Sequence, residues 1–160
     1  MITVEEAIAI LEEAVPRLEA EKRTLRDARG SVLAEDIIAT IDLPGVNQSA
    51  MDGYALHYAK EILEYQVIGE VAAGDSKNPK LAKGEAVRIF TGARVPDSAN
   101  AVAQQEIVDR HEEKIQLTAE IFEGKNIRLQ GEQIKNGEVG LVKGTVLNAA
   151  GIGFLAGLGH

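Results

Sequence analysis

Short runs of β-branched residues, separated by closely spaced turns, constrain the fold of this chain most. Residues 65–71 alternate in polarity, residues 86–92 are the clearest strand, and residues 36–41 are rich in isoleucine and threonine. Runs of this kind bounded by glycine and proline are typical of strands. The chain has 16 glycines, and nothing in it alternates strands with long helices. The sequence therefore predicts a mainly β (α+β) protein and disfavours a doubly wound sheet.

Further strands are expected at residues 21–27 and 32–41 from the same signals. Residues 101–108 and 114–122 are expected to form a hairpin, joined by the charged run 109–113. The turns around Pro44 and Lys125 predict two crossings between subdomains. We therefore expect an outer β-rich domain made of residues 1–44 and 128–160, with residues 45–127 inserted as a second β domain.

A short helix is predicted at each end of the chain. Thr3 and Glu6 have the spacing of a capping box, and Pro16 predicts that the first helix ends near Ala14. Apolar residues recur behind the cap at helical spacing, namely Val4, Ile8, Leu11, Val15 and Leu18. In a compact domain this stripe would be core, and in a fragment it would await a missing partner. Residues 149–159 are apolar, small and compatible with the second helix.

Charge and composition exclude several classes of function. The net charge of −8 disfavours binding to a nucleic-acid backbone, and the absence of cysteine excludes thiolate catalysis and Cys-based zinc sites. The acidic N-terminus is unlike a signal peptide, and no apolar run approaches the ~20 residues that span a bilayer. The three histidines have no metal-ligand spacing. We therefore expect a cytoplasmic protein with no membrane or nucleic-acid partner.

Three polar clusters are candidate sites. The first lies in residues 47–55, here called the central loop, where Ser49 and Asp52 precede Gly53. The second surrounds Thr91 in residues 88–94, and the third occupies residues 125–133. Each cluster alone is compatible with an ordinary turn, because Ser, Asp, Asn and Gly are also turn residues. A binding site requires that the three clusters converge in space.

The order and spacing of these clusters resemble the molybdenum-cofactor biosynthesis family of MoeA and the gephyrin E domain. Ser-Ala-Met-Asp-Gly-Tyr-Ala at 49–55 matches a motif of that family in full. The resemblance continues in four more ordered segments, at residues 88–96, 105–106, 126–132 and 152–159. It implies a discontinuous β-rich domain with a smaller β domain inserted. Family members continue into an α/β domain that is absent here, so a truncated product is expected.

The resemblance also implies a reaction, the insertion of molybdate into adenylated molybdopterin with assistance from Mg²⁺. Asp52 then corresponds to an essential carboxylate and metal ligand, and Thr91 to a catalytic hydroxyl contact. Ligand binding is expected from Ser49, Arg128, Glu132 and Gln133, although Arg128 could instead pair with Glu132, and Ser49 could instead shape the loop. Asp52, Thr91 and Arg128 should lie on one face of the molecule.

Two features qualify this expectation. Gln133 stands where the family commonly has Asp, which removes a carboxylate beside Glu132. In a family homodimer the site would be completed by the partner subunit, so the isolated chain is expected to be inactive. The alternative is a non-catalytic dimerisation or scaffolding module of the same family, with the ligand chemistry elsewhere.

Overall fold

The computed structural model describes residues 2–16 and 18–160, which form two compact units. The first unit holds the described residues up to Asp36 together with Leu141–Leu158 and His160. The second unit holds Ile37–Gly140 and Gly159. The domain boundaries predicted at 44/45 and 127/128 stay a prediction. In residues 2–16 and 18–160, no helix combines the length and apolar character needed to cross a membrane.

Within residues 2–16 and 18–160 the protein is mainly β with two short helices, as predicted. The helices are α1 (Val4–Ala14) and α2 (Ala149–Gly157). The strands, in chain order, are β1 (Ile37–Ile38), β2 (Gln48–Ser49), β3 (Gly53–Leu56), β4 (Glu64–Val71), β5 (Glu85–Ile89), β6 (Ala101–Gln104), β7 (Val108–His111), β8 (Lys114–Leu117), β9 (Ile127–Arg128) and β10 (Val139–Leu141). A single 3₁₀ turn at Gln105–Ile107 follows β6.

A six-stranded sheet dominates the second unit, with strand order β6-β3-β5-β4-β8-β7. Only β4 and β5 are parallel, and the other neighbours in this sheet are antiparallel. Alternate side chains along the strands feed two separate hydrophobic clusters, because successive residues point to opposite faces. Tyr54 and Leu56 belong to one cluster, and Ala55 belongs to the other. The interior strand β3, next to the edge strand β6, is therefore buried on both faces.

Two small two-stranded sheets accompany the large sheet: β1 with β10, and β2 with β9, which are antiparallel. In the second pair Gln48 lies opposite Arg128 and Ser49 lies opposite Ile127. This register connects the central loop to the third polar cluster, although the two segments are far apart in the sequence.

The N-terminal helix has the predicted start and end but not the predicted burial. Thr3 and Glu6 form both hydrogen bonds of the capping box, and the helix ends at Ala14. No residue of α1 is buried, and the apolar stripe is exposed, with Leu11 at 61%. The interpretation of this stripe as core is therefore wrong for the described structure.

Three strand predictions are corrected. Residues 21–27 form no strand, because Asp27 N donates to Thr24 O at 3.0 Å and closes a turn. The strand expected over 32–41 is reduced to β1 and an isolated bridge between Val32 and Val146. The hairpin consists of β7 and β8, whereas β6 lies at the opposite edge of the sheet. Local propensity identified extended segments but not their partners, which decide whether a strand forms.

Candidate functional site

The three polar clusters converge around the central loop. The Ser49 amide donates to Ala93 O at 2.9 Å, and the Gly92 amide donates to Ser49 O at 2.8 Å. On its other side, the loop donates from the Ala50 amide to Asn126 O at 2.9 Å. The second and third clusters therefore flank the first through backbone hydrogen bonds, which fix its position more firmly than side-chain contacts could.

Asn47 reinforces this convergence with its side chain. Its Oδ1 accepts a hydrogen bond from the Gln130 amide at 2.9 Å, and its backbone oxygen accepts one from the Val95 amide at 2.9 Å. One residue thus contacts both flanking segments. The sequence showed an amide at this position but not its partners, which lie 48 and 83 residues further along.

Asp52 and Thr91 make the most direct contact between two predicted site residues. Asp52 Oδ1 accepts hydrogen bonds from the Thr91 amide at 2.8 Å and from Thr91 Oγ1 at 2.9 Å. Among the described residues, none donates a hydrogen bond to the other carboxylate oxygen, Oδ2. Both residues are exposed. One oxygen is thus fixed by the protein while the other is left for water or a ligand.

The environment of Asp52 favours its ionised form. The hydrogen bond from the Thr91 amide, followed by that from the Thr91 hydroxyl, holds the pKa of the Asp52 carboxyl below its ordinary value of 3.8. Burial opposes this lowering of the pKa, and the positive charge of Arg88 adds a smaller lowering effect. Asp52 therefore carries a full negative charge at neutral pH.

Arg88 and Gln105 adjoin Asp52, and neither of them was among the predicted site residues. Arg88 Nη1 donates to Gly53 O at 3.2 Å, and Nη2 donates to Gln105 Oε1 at 2.8 Å. The Gln105 amide in turn donates to Asp52 O at 3.0 Å. Arg88 was visible as a cation in the second cluster. Its place opposite Tyr54 depends on the pairing of β3 with β5, which no local pattern shows.

Gly53 is required by the close approach of two strands. A Cβ atom at this position would lie 1.9 Å from Ala103 O on β6, far inside van der Waals contact. Only glycine permits β3 and β6 to pair here. The glycine of the central loop therefore serves the sheet that carries Asp52, and its φ is not in the left-handed region.

Comparison with known proteins shows the family of the chain. A protein-family model described as "MoeA N-terminal region (domain I and II)" matches residues 2–159. The chain belongs to this family. This MoeA N-terminal chain is 34% identical over 166 aligned residues to the molybdopterin molybdenumtransferases of Staphylococcus epidermidis and Staphylococcus aureus. The alignment covers 99% of the chain and 40% of each relative.

Solved structures agree with the fold of the MoeA N-terminal chain. A molybdopterin biosynthesis MoeA protein from Pyrococcus horikoshii OT3 superimposes with a TM-score of 0.89 at 39% identity, covering 97% of this chain and 43% of that protein. A second structure, titled as a MoeA protein from Pyrococcus horikosii, gives a TM-score of 0.82 at 30% identity and covers 99% and 42%. The chain thus spans about two-fifths of the relatives it matches.

The remaining predicted ligand-binding residues of this MoeA N-terminal chain do not contact Asp52. Ser49 is fully buried (0% exposed), and its Oγ donates to Met51 O at 2.6 Å within the central loop. Arg128 is exposed on β9 opposite Gln48. The structure therefore brings Asp52 and Thr91 together directly and joins Arg128 to them through strand pairing. That Arg128 and Asp52 reach one ligand stays a prediction.

Glu132 and Gln133 lie in the turn after β9. Glu132 Oε2 accepts a hydrogen bond from the Leu129 amide at 3.0 Å, which closes this turn. The Gln133 amide donates to Leu43 O at 2.9 Å, and its side chain is exposed. Among the described residues, Glu132 forms no ion pair with Arg128. Glu132 thus closes the turn of the third cluster with its side chain, whereas Gln133 contacts Leu43 through its backbone.

The suitability of the chain for a metal ion rests on one carboxylate. Across residues 2–16 and 18–160, no group of three or more His, Cys, Asp or Glu side chains could hold a metal ion. Mg²⁺ is commonly held by one or two carboxylates together with substrate phosphates and water. Asp52, with Oδ2 accepting no hydrogen bond from the described residues, fits the part of such a single ligand.

Proposed function

We propose that this chain is the N-terminal part of an enzyme that inserts molybdate into adenylated molybdopterin. The observation that carries the proposal is the Asp52–Thr91 contact, which presents an ionised, exposed carboxylate in the central loop that the other two polar clusters flank. The relatives are molybdopterin molybdenumtransferases, which supports the reaction class. The rest of the site would come from a segment outside this chain, since the chain matches two-fifths of each relative.

In this proposal Asp52 Oδ2 binds a magnesium ion or a metal-bound water. A magnesium ion there would neutralise oxyanion charge on molybdate or the adenylate. Thr91 acts on Asp52 instead of on the oxyanion, because its hydroxyl proton is already donated to Oδ1. Thr91 therefore holds the carboxylate in place. The exposed guanidinium of Arg128 would attract the phosphates of the substrate.

Ser49, Glu132 and Gln133 would support this site from the surrounding backbone. Ser49 fixes the shape of the central loop through its bond to Met51, and Glu132 fixes the turn after Arg128. The exposed amide of Gln133 would offer a neutral contact to the substrate. The family resemblance also suggests a homodimer in the cytoplasm, which light scattering of the whole protein and cell fractionation would test.

A chimeric enzyme tests the proposed function. This chain would replace the matching region of the Staphylococcus aureus relative, and molybdate insertion into adenylated molybdopterin would be measured. Asp52→Asn should lower the rate roughly 100-fold, because it removes the charge from the preorganised carboxylate. Asp97→Asn is the matched control, since Asp97 is also exposed and hydrogen-bonded but pairs with Arg94 and Asn78 instead of facing Thr91. It should retain the parent rate.

The rival function, a dimerisation or scaffolding module, gives a different result in the same experiment. If Asp52→Asn inserted molybdate at the parent rate, the chemistry would lie entirely outside this chain and the proposed catalytic part would be wrong. The proposal is supported when Asp52→Asn loses activity while its thermal stability and oligomeric state match those of Asp97→Asn.

A further inference from the structure

Two consecutive carbonyl oxygens beside Asp52 are held by groups from other strands. Asp52 O accepts a hydrogen bond from the Gln105 amide at 3.0 Å, and Gly53 O accepts one from Arg88 Nη1 at 3.2 Å. Arg88 Nη2 donates to Gln105 Oε1 at 2.8 Å, which closes a ring of contacts. The two consecutive peptide groups after Asp52 are thus each held by one of two residues that also contact each other.

Aromatic side chains restrict Arg88 as well. Its guanidinium carbon lies 5.2 Å from the centre of the Tyr54 ring and 5.0 Å from that of Phe90. Cation–π contacts of this kind favour arginine over lysine, because the planar guanidinium can stack on aromatic rings. A lysine ammonium also cannot form the same two forked hydrogen bonds. Arg88 is half-buried, and its two hydrogen bonds and two ring contacts restrict the guanidinium.

We propose that Arg88 and Gln105, here called the Arg88–Gln105 pair, are positioning residues that hold the Asp52 backbone so that Thr91 binds one carboxylate oxygen and leaves the other for a ligand. Neither residue needs to touch the substrate. The inference rests on the proposed function for its catalytic meaning, but the positioning itself is a property of this chain. Two carboxylates lie beside the pair: Gln105 Nε2 donates to Glu106 Oε1 at 3.4 Å, and Glu70 on β4 is paired with Arg88 on β5.

An NMR titration of the Asp52 carboxyl carbon in this 160-residue chain tests the positioning without any substrate. Arg88→Gln should raise the pKa of Asp52, because it removes both the charge and the grip on Gly53 O. Arg88→Lys keeps the positive charge but not the forked hydrogen bonds. Any rise in the pKa of Asp52 in this variant therefore reports the loss of those hydrogen bonds. Arg110→Lys is the matched control, since Arg110 donates to Glu112 O in its own hairpin and contacts neither Gly53 nor Gln105.

Gln105→Ala keeps the inference falsifiable if the Arg88 variants fail to fold. It removes the acceptor of Arg88 Nη2 but leaves the Gln105 backbone amide and the aromatic contacts. We expect the Asp52 resonance to shift and its pKa to rise, both in the same direction as in Arg88→Gln and by less. An Asp52 titration identical to that of the parent in folded Gln105→Ala and in every Arg88 variant that folds would overturn the inference.

The chimeric enzyme separates this inference from the proposed function. Arg88→Lys in the chimera should lower kcat on the order of 10–100-fold with little change in KM, because misplacement of a catalytic group by about 1 Å has an effect of this size. If the NMR titration moves but neither Arg88→Lys nor Asp52→Asn changes the rate, the positioning holds and the proposed function fails. If Asp52→Asn is inactive and the titration is unmoved, the function holds and the positioning fails.

Discussion

Asp52 owes its conformation to residues that lie far from it in the sequence. Thr91 holds one carboxylate oxygen of Asp52, and the Arg88–Gln105 pair holds the backbone oxygens of Asp52 and Gly53. Gly53 permits the whole arrangement, because β6 passes too close for any side chain. The motif of the central loop therefore combines Asp52, whose side chain is exposed, with Gly53, where only glycine fits.

The requirement for glycine at residue 53 gives a stability prediction. Gly53→Ala should lower the free energy of unfolding by about 3 kcal/mol or more, because the new methyl group would overlap Ala103 O and force β3 and β6 apart. Gly69→Ala on β4 is the control, since a Cβ there meets nothing within 4 Å and its φ is ordinary. It should stay within about 1 kcal/mol of the parent. Urea denaturation measures both, and equal losses would contradict the strand-approach argument.

The two helices differ in what their apolar residues do. In α1 the capping box satisfies the first turn, yet no side chain of the helix is buried. In α2 Asn148 accepts a hydrogen bond from the Gly151 amide at 2.9 Å and begins a helix that buries Leu155. Helical periodicity shows which side of a helix is apolar but not whether anything covers it.

Matched leucine substitutions test this difference between the helices. Leu155→Ala should lower the free energy of unfolding by about 2–5 kcal/mol, because Leu155 is only 3% exposed and its loss leaves a cavity. Leu11→Ala in α1 should change it by less than about 0.5 kcal/mol, since that side chain is 61% exposed. Thermal and urea denaturation of this chain would measure both. A large loss from Leu11→Ala would mean that α1 packs against another surface in solution.

At the scale of the whole molecule, hydrogen-bonded carboxylates give the protein its pH dependence. Asp52 is one of them, and Asp42 is another, with its Oδ1 bound by the Asn136 amide at 2.9 Å and its Oδ2 bound by Gln130 at 2.7 Å. These contacts lower the pKa of Asp42, the Asn136 bond having the larger effect. The pKa values of Asp75, Asp97 and Glu61 are also lowered, and in each case a side-chain hydrogen bond is the largest cause.

The lowered pKa values predict a loss of stability in acid. A carboxyl whose folded pKa lies below its unfolded pKa stabilises the fold above the unfolded value, and this stabilisation is lost as pH falls through the folded pKa. The melting temperature should therefore fall progressively from just above pH 4.5, the ordinary value for Glu61, to below pH 3.8, the ordinary value for the aspartates. Asp42→Asn should flatten part of this decline, as measured by calorimetry at a series of pH values. If the melting temperature of Asp42→Asn fell with pH just as that of the parent does, the stabilising effect assigned to the Asp42 carboxylate would be wrong.

Local sequence was sufficient for the features that depend on near neighbours. The capping box of Thr3 and Glu6, the end of α1 before Pro16, the strands around residues 65–71 and 86–92 and the mainly β class all follow from short-range patterns. The three polar clusters were visible as well, because turn residues and charges are concentrated there. The family resemblance supplied their order and the expected chemistry.

Tertiary structure decided which of these segments meet. The sequence by itself determined that Asp52, Thr91 and Arg88 exist near strand ends, but the register of β3 against β5 brought Thr91 against Asp52 and Arg88 against Gly53. The tertiary structure also decided that residues 21–27 form no strand and that the apolar stripe of α1 is exposed. The physical reason is that strand pairing and burial depend on partners distant in the chain, whereas caps and turns are closed by residues a few positions away.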